Sequence, residues 1–185
     1  MIRKKLIVSL VVVLLLSGCK NNSKNDSNTT VKKDNPKETL TISKAPEQKE
    51  NYQKAKMFSL PYGKNMNKIF DLSKEYKNKN HVFVFFATWC PACRHELPML
   101  DAIKDKYSHT RIIAIDAREP VDKVVKYFES NNIGLDVLID KTGRTFQLYG
   151  IRYIPAVLIV DKNGNVRLFG NKSVEEIEKV LKNLK

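Results

Sequence analysis

The sequence is poor in cysteine and histidine, the residues that most often hold a metal. Its 185 residues include three of each. Cys90 and Cys93 form a Cys-x-x-Cys pair that could supply half of a structural zinc site, but such a site needs two more Cys or His ligands at similar spacing. The third cysteine is Cys19, and the histidines form no spaced pair. We therefore expect no metal site.

The sequence also lacks an apolar run long enough to cross a bilayer as a helix, which takes about 20 residues. Residues 6–16 are almost entirely apolar and follow basic residues at positions 3–5. This pattern fits a signal peptide. The run ends in Leu16-Ser17-Gly18-Cys19, which resembles a bacterial lipobox. We predict a signal peptide over residues 1–18 and acyl chains on Cys19, so that the mature protein is anchored without spanning the membrane; a plain secretory signal is the alternative.

Acidic residues are few relative to basic ones, and the formal net charge is +13. Both signs are interspersed through the second part of the chain, and basic residues are not interleaved with aromatic ones as on a nucleic-acid-binding surface. We therefore exclude nucleic-acid binding. The positive charge is interpreted as an adaptation to the anionic cell envelope.

Apolar residues are scarce between residues 19 and 56, where Asn, Ser, Lys, Thr and Asp dominate. Such a segment cannot bury enough surface to offset its ordering entropy, and we predict a flexible tether after the lipidated cysteine. Residues 57–185 are enough for one domain of ordinary size with a core of its own.

What the chain does contain is an apolar, aromatic run that leads directly to the Cys-x-x-Cys pair. Residues 81–87 have the composition of a buried strand. Pro91 is favoured at the first position of a helix, so Cys90 should lie at a helix N-terminus, where a thiolate is stabilised. Cys93, one turn on, can close a disulfide with it. The pattern predicts a redox site, with a purely structural disulfide as the alternative, although so small a loop restricts the unfolded chain little.

The segment Ala87-Thr88-Trp89-Cys90-Pro91-Ala92-Cys93-Arg94, followed by Glu96 and Pro98, resembles the active-site segment of thioredoxin-fold proteins. Among these it is most similar to the extracytoplasmic, membrane-tethered TlpA/ResA type. The resemblance covers residues 57–185. It implies an α/β thioredoxin-like fold, in which a central mixed β-sheet is flanked by helices on both faces and carries an N-terminal addition.

The periodicity of the domain agrees with that order of elements. The predicted strands are 58–60, 81–87, 111–116, 136–139, 156–161 and 166–169, the last two joined by a hairpin turn at residues 162–165. The predicted helices are 67–76, 91–107, 120–131, 142–149 and 174–184. Ser173 and Glu176 have the spacing of a capping box at the start of the last helix.

A second stretch is expected to complete the site. The resemblance implies that Pro155 is a cis proline facing the cysteines, which would leave the backbone of Ile154 open for pairing with a substrate strand; an ordinary trans proline is the alternative. Trp89 is expected to supply an apolar contact for substrate chains. Pro91 and Ala92, between the cysteines, are assigned to the same substrate-binding surface.

The acid that would assist proton transfer is not where thioredoxins have it. They carry an Asp on the central strand, six residues before the first cysteine, and here that position is Val84. TlpA/ResA-type proteins often have a Glu after the following strand, and Glu119 matches that place. We expect Glu119 to approach Cys93 and help deprotonate it, with a solvated loop glutamate as the alternative. Glu96 is interpreted as structural and His95 as a surface residue.

The resemblance implies an enzyme, a thiol–disulfide oxidoreductase in which Cys90 attacks a substrate disulfide and Cys93 resolves the mixed disulfide. It needs no cofactor beyond this pair. Implied partners are apocytochrome c, methionine sulfoxide reductase or other exported proteins, with a CcdA/DsbD-like membrane thiol transporter as reductant. Ile154 before the proline resembles thioredoxin and favours a reductase. A disulfide-forming oxidase and a non-catalytic binding lipoprotein remain alternatives, and we expect a monomer.

Overall fold

The computed structural model describes residues 52–184. The predicted signal peptide, the Cys19 anchor and most of the predicted tether lie outside the described residues. No helix within 52–184 has the length and apolarity that a membrane span requires. The helices are α1 (Leu72–Glu75), α2 (Pro91–Ile103), α3 (Val121–Ser130), α4 (Arg144–Tyr149) and α5 (Val174–Leu181). The strands are β1 (Ser59–Tyr62), β2 (Asn65–Asp71), β3 (Asn80–Phe86), β4 (Thr110–Asp116), β5 (Asp136–Ile139), β6 (Ala156–Val160) and β7 (Val166–Gly170).

The seven strands form one mixed sheet in the order β2-β1-β5-β4-β3-β6-β7. β4 pairs in parallel with β3 and β5, whereas the other pairings are antiparallel. β3 lies next to β4 and β6, and all seven of its residues are buried. Because both faces of β3 are covered, apolar residues follow one another along it without alternating with polar ones. This apolar run is the pattern from which the strand was predicted.

The two faces of the sheet carry separate apolar cores, and successive residues of β3 alternate between them. Val82, Val84 and Phe86 pack in the core that contains Cys90 and Cys93. The intervening phenylalanines of β3 pack in the core on the opposite face. The redox pair therefore lies on the same face of the sheet as Val82, Val84 and Phe86.

The predicted helix over residues 67–76 is wrong. The segment up to Asp71 is β2, which pairs antiparallel with β1, and a short helix begins only at Leu72. The apolar residues that suggested a helix do not share a face, because Ile69 is 56% exposed while Leu72 is fully buried. Asp71 ends the strand and caps the helix by accepting a hydrogen bond from the N–H of Ser73. Pairing with β1 thus overrides a local spacing that favours a helix.

The remaining elements lie close to their predicted positions. β5 has the predicted bounds, and the predicted helix over 91–107 ends earlier, at Ile103, followed by a 3-10 turn at Lys104–Lys106. The capping box is confirmed, since the side chains of Ser173 and Glu176 each accept a hydrogen bond from the other's backbone N–H.

The first described residues lie against the hairpin between β6 and β7. Lys54 forms an isolated antiparallel bridge with Asn165, and the N–H of Ala55 donates to the carbonyl oxygen of Gly164 at 2.9 Å. The last residues of the predicted tether therefore contact the domain.

Candidate active site

Cys90 and Cys93 are joined by a disulfide at the start of α2. Cys90 is the N-cap of the helix and Pro91 occupies its first turn, as predicted. The Sγ atom of Cys90 accepts a hydrogen bond from the N–H of Cys93 at 3.2 Å. Since free N–H groups and the positive end of the helix dipole meet at this position, a thiolate on Cys90 would be stabilised there. Cys93 is fully buried and Cys90 nearly so, which leaves Cys90 as the sulfur nearer to solvent.

The loop before β6 lies directly against this pair. The Ile154–Pro155 peptide bond is cis, as the resemblance implied. The carbonyl oxygen of Ile154 is 3.8 Å from the Sγ of Cys90. On the other side of the proline, the side-chain amide of Asn171 donates to the carbonyl oxygen of Pro155 at 2.9 Å, which ties the loop to the segment before α5.

Two exposed aromatic side chains belong to the segments that carry Cys90 and Ile154. Trp89 is 65% exposed and Tyr153 is 81% exposed, one beside Cys90 and the other beside Ile154. Pro91 and Ala92 are also exposed. That Trp89, Pro91 and Ala92 bind substrate stays a prediction.

A groove of about 430 Å³ begins at this surface and runs between α2 and the start of α5. Ala92 and Pro155 form its end near the disulfide, and Met99 and Val174 contribute apolar walls. Glu96 also lines the groove. The groove could hold a side chain of a bound peptide while its backbone lies beside Ile154.

Glu119 is buried rather than solvated. Its carboxylate accepts hydrogen bonds from the N–H of Thr88 at 2.5 Å and from the Thr88 hydroxyl at 2.7 Å. It also pairs with the ammonium of Lys123 at 2.5 Å. Burial raises the pKa of Glu119, but the hydrogen bonds from Lys123 and Thr88 outweigh burial, so the pKa lies below its ordinary value. That Glu119 assists Cys93 stays a prediction.

Two further carboxyl groups were not assigned a place in the site from the sequence. Asp116, at the end of β4, is fully buried, and burial together with the negative charges of Glu119 and Asp140 raises its pKa to about 7. Burial likewise raises the pKa of Glu96 to about 7. Within the described residues, Asp116 Oδ1 and Glu96 Oε1 are buried without a hydrogen-bond partner. The available signal for Glu96 was its position three residues after Cys93, on the same side of the helix.

Comparison with known proteins places this arrangement among thiol-active relatives. The AhpC/TSA family model matches residues 52–169. The thiol-disulfide oxidoreductase ResA of Bacillus thuringiensis is 31% identical over 115 residues, covering 60% of this chain. ResA of Geobacillus thermodenitrificans is 28% identical over the same length. The chain spans 66% of the length of each of these relatives.

Solved structures show the same architecture. The exposed lipoprotein thioredoxin of Streptococcus pneumoniae is 25% identical, with a TM-score of 0.60 over 70% of this chain and 100% of that one. A thiol:disulfide interchange protein of the thioredoxin family from Chlorobium tepidum is 25% identical, with a TM-score of 0.62 over 71% of this chain and 95% of that one. The predicted α/β thioredoxin-like fold is confirmed.

Proposed function

The chain belongs to the AhpC/TSA family, and from this we propose that it is an extracytoplasmic thiol–disulfide oxidoreductase that reduces disulfides of exported proteins. The observation that carries the proposal is the Cys90–Cys93 disulfide at a helix N-terminus, facing the loop of Ile154 and Pro155. The similarity to ResA supports the reaction class.

In the proposed reaction, the Cys90 thiolate attacks one sulfur of a substrate disulfide. A bond forms between Cys90 and that sulfur, the substrate disulfide breaks, and the other substrate sulfur leaves as a thiolate. Cys93 loses its proton and attacks the Sγ of Cys90, which releases the second substrate thiol and closes the Cys90–Cys93 disulfide. Two electrons thus pass from the enzyme to the substrate. The reverse sequence would oxidise a substrate dithiol.

Substrate binding is proposed to use the backbone of Ile154. An extended segment pairing there would lie along the disulfide, because the Ile154 carbonyl is close to the Cys90 sulfur. Trp89, Pro91 and Ala92 are exposed beside it and would contact the substrate's side chains. Pro155, which is buried next to Ile154, would keep this surface in place.

The sequence and the relatives support a proposal for the setting of the reaction. We propose that Cys19 is lipidated and anchors a monomeric enzyme to the outer face of the cell membrane. A CcdA/DsbD-like thiol transporter would return electrons to the Cys90–Cys93 disulfide. Apocytochrome c and methionine sulfoxide reductase are the proposed substrates. The similarity to an exposed lipoprotein thioredoxin supports the location.

The reduction potential of the Cys90–Cys93 pair tests the direction of electron flow. The full chain, purified in detergent, is equilibrated with dithiothreitol or glutathione buffers, and Trp89 fluorescence reports the redox state. A value near or below that of thioredoxin, about −270 mV, supports the reductase. A value near that of DsbA, about −120 mV, would make the protein a disulfide-forming oxidase.

Insulin reduction by dithiothreitol separates catalysis from mere binding. The parent should accelerate insulin precipitation, and Cys90→Ser should abolish the acceleration because no nucleophile remains. A Cys90→Ser protein that behaves like the parent would instead favour a non-catalytic binding lipoprotein.

A further inference from the structure

The Glu119 carboxylate is hydrogen-bonded to Thr88, which lies two residues before Cys90. It accepts hydrogen bonds from both the backbone N–H and the hydroxyl of Thr88. These groups lie 31 positions apart in the sequence, on the two loops that follow the neighbouring strands β3 and β4. A carboxylate that holds a backbone amide and a side chain of one residue fixes both the position and the orientation of that residue.

The conformation of the loop that carries Glu119 directs its carboxylate toward Thr88. Arg118 has a φ of 62°, a conformation that residues with a side chain rarely adopt and that costs about 1 kcal/mol or more. The N–H of Glu119 donates to Asp116 at 2.9 Å, and the N–H of Ala117 donates to the carbonyl oxygen of Phe86 at 2.9 Å. The loop is therefore fixed at its base on β3 and β4, and its left-handed residue turns Glu119 toward Thr88.

Thr88 lies inside the tight turn that leads to the redox pair. The N–H of Cys90 donates to the carbonyl oxygen of Ala87 at 3.1 Å, so Thr88 and Trp89 are the two central residues of this turn. The turn sets where the Cys90 sulfur meets the N–H of Cys93 at the end of the helix. Any movement of Thr88 is transmitted to Cys90 through Trp89, the single residue between them.

We propose that Glu119 is a positioning residue for Cys90: it clamps Thr88 and so holds the turn in which the Cys90 thiolate is stabilised. The proposal deepens the proposed function and rests on it for its biological meaning. It differs from the sequence-based prediction, in which Glu119 takes a proton from Cys93. Clamping requires an acceptor on residue 119 and donors on residue 88, but it does not require a negative charge.

This distinction means that the Glu119→Ala variant should impair Cys90 whereas the Glu119→Gln variant should not. Glutamine keeps an oxygen that accepts from the Thr88 N–H but has no charge, whereas alanine loses both. Losing the clamp should loosen the turn and raise the pKa of the Cys90 thiol, because the Cys93 N–H is held less firmly on the sulfur. Losing only a nearby negative charge should lower the pKa of the same thiol.

The measurement is the pH dependence of alkylation of Cys90 by iodoacetamide, read on the Cys90 peptide by mass spectrometry in the reduced full chain. We expect Glu119→Ala to slow alkylation near neutral pH about fivefold, the factor for losing a typical net hydrogen bond. Glu119→Gln should restore the rate to within about twofold of the parent. The alkylation assay uses no protein substrate. Its outcome therefore tests the role of Glu119 separately from the insulin assay, which tests the proposed function.

Thr88 supplies a second pair of variants, which decides the matter if Glu119→Ala does not fold. Thr88→Ala removes the hydroxyl donor and should slow alkylation of Cys90, whereas Thr88→Ser keeps both donors and should not. The matched control is Glu129→Ala with Glu129→Gln, an exposed glutamate on α3, and neither change should affect Cys90.

Three results would overturn the proposal. Faster alkylation in both Glu119 variants would show that only the charge matters. Unchanged alkylation in Glu119→Ala and Thr88→Ala would show that the clamp does not act on Cys90. Equal slowing in Glu119→Ala and Glu119→Gln would show that the carboxylate itself is needed.

Discussion

The carbonyl oxygen of Ile154 lies 3.8 Å from the Sγ atom of Cys90. The atom that would accept a hydrogen bond from a pairing substrate strand is thus adjacent to the atom that would attack the substrate's disulfide. Backbone pairing depends little on sequence, so this arrangement would let the proposed enzyme act on more than one protein. The side chains next to the pairing segment then have to provide selectivity.

The first prediction concerns the two cysteines. Cys93→Ser should accumulate a mixed disulfide between Cys90 and the substrate, because the resolving sulfur is missing and Cys90 can still attack. The measurement is a mass shift on non-reducing gels and by mass spectrometry after mixing with oxidised insulin. Cys90→Ser is the control and should trap nothing. Equal trapping by both variants would contradict the assignment of Cys90 as nucleophile.

The second prediction concerns Trp89, which is largely exposed beside Cys90. Trp89→Ala should raise the KM for insulin roughly tenfold, as expected for losing an aromatic contact worth about 1 to 2 kcal/mol. Reduction of glutathione disulfide should change little, since a small substrate does not reach the tryptophan's full surface. Ile69→Ala, at an exposed apolar position on β2, is the control. A similar loss with both substrates would point to a damaged active site instead.

Local signals explain most of the elements that the sequence predicted. The central strand β3 is buried throughout and mostly apolar, and the capping box of α5 depends only on Ser173 and Glu176, three residues apart. The prediction for the β2 segment was wrong because its apolar residues have the spacing of a helix, whereas pairing with β1 makes the segment a strand. The spacing of residues within the β2 segment carries no information about its pairing with β1.

The clamp on Thr88 could not be predicted for a related reason. Glu119 was singled out by its position after a strand, but its partner follows from the parallel pairing of β3 with β4, which brings the ends of both strands together. The burial of Asp116 could not be predicted from the sequence either, because an acid at the end of a strand is ordinarily expected to be exposed to solvent.

The third prediction concerns Glu96 and pH. The pKa of Glu96 is raised by burial to about 7, so its neutral form is favoured in the folded state. Its contribution to stability is therefore complete below the ordinary pKa of 4.5 and is lost as the pH rises through 7. Glu96→Gln should make the urea unfolding free energy less dependent on pH between 5 and 8. Glu175→Gln, an exposed position on α5, should leave that dependence unchanged, and an unchanged slope in Glu96→Gln would refute the assignment.

The fourth prediction concerns the cap of α5, whose first turn borders the groove between α2 and α5. Ser173→Ala removes the acceptor for the N–H of Glu176 and should lower the free energy of unfolding by about 1 kcal/mol. Ser173→Asp keeps an acceptor and should retain most of the stability. Urea titrations of the three proteins provide the comparison, and an alanine variant as stable as the parent would show that the cap contributes nothing.

The last prediction concerns Asp116, the buried acid beneath the Glu119 loop. Burial raises its pKa from 3.8 to about 7, with Glu119 and Asp140 adding to the shift. The folded state therefore binds this proton more tightly than the unfolded chain, and stability declines as the pH rises from about 4 through 7. Asp116→Asn keeps an oxygen for the N–H of Glu119 but cannot ionise, so its unfolding free energy should decline less over that range. Asp122→Asn, an exposed acid on α3, should behave like the parent, and a parental slope in Asp116→Asn would show that Asp116 is not the titrating group.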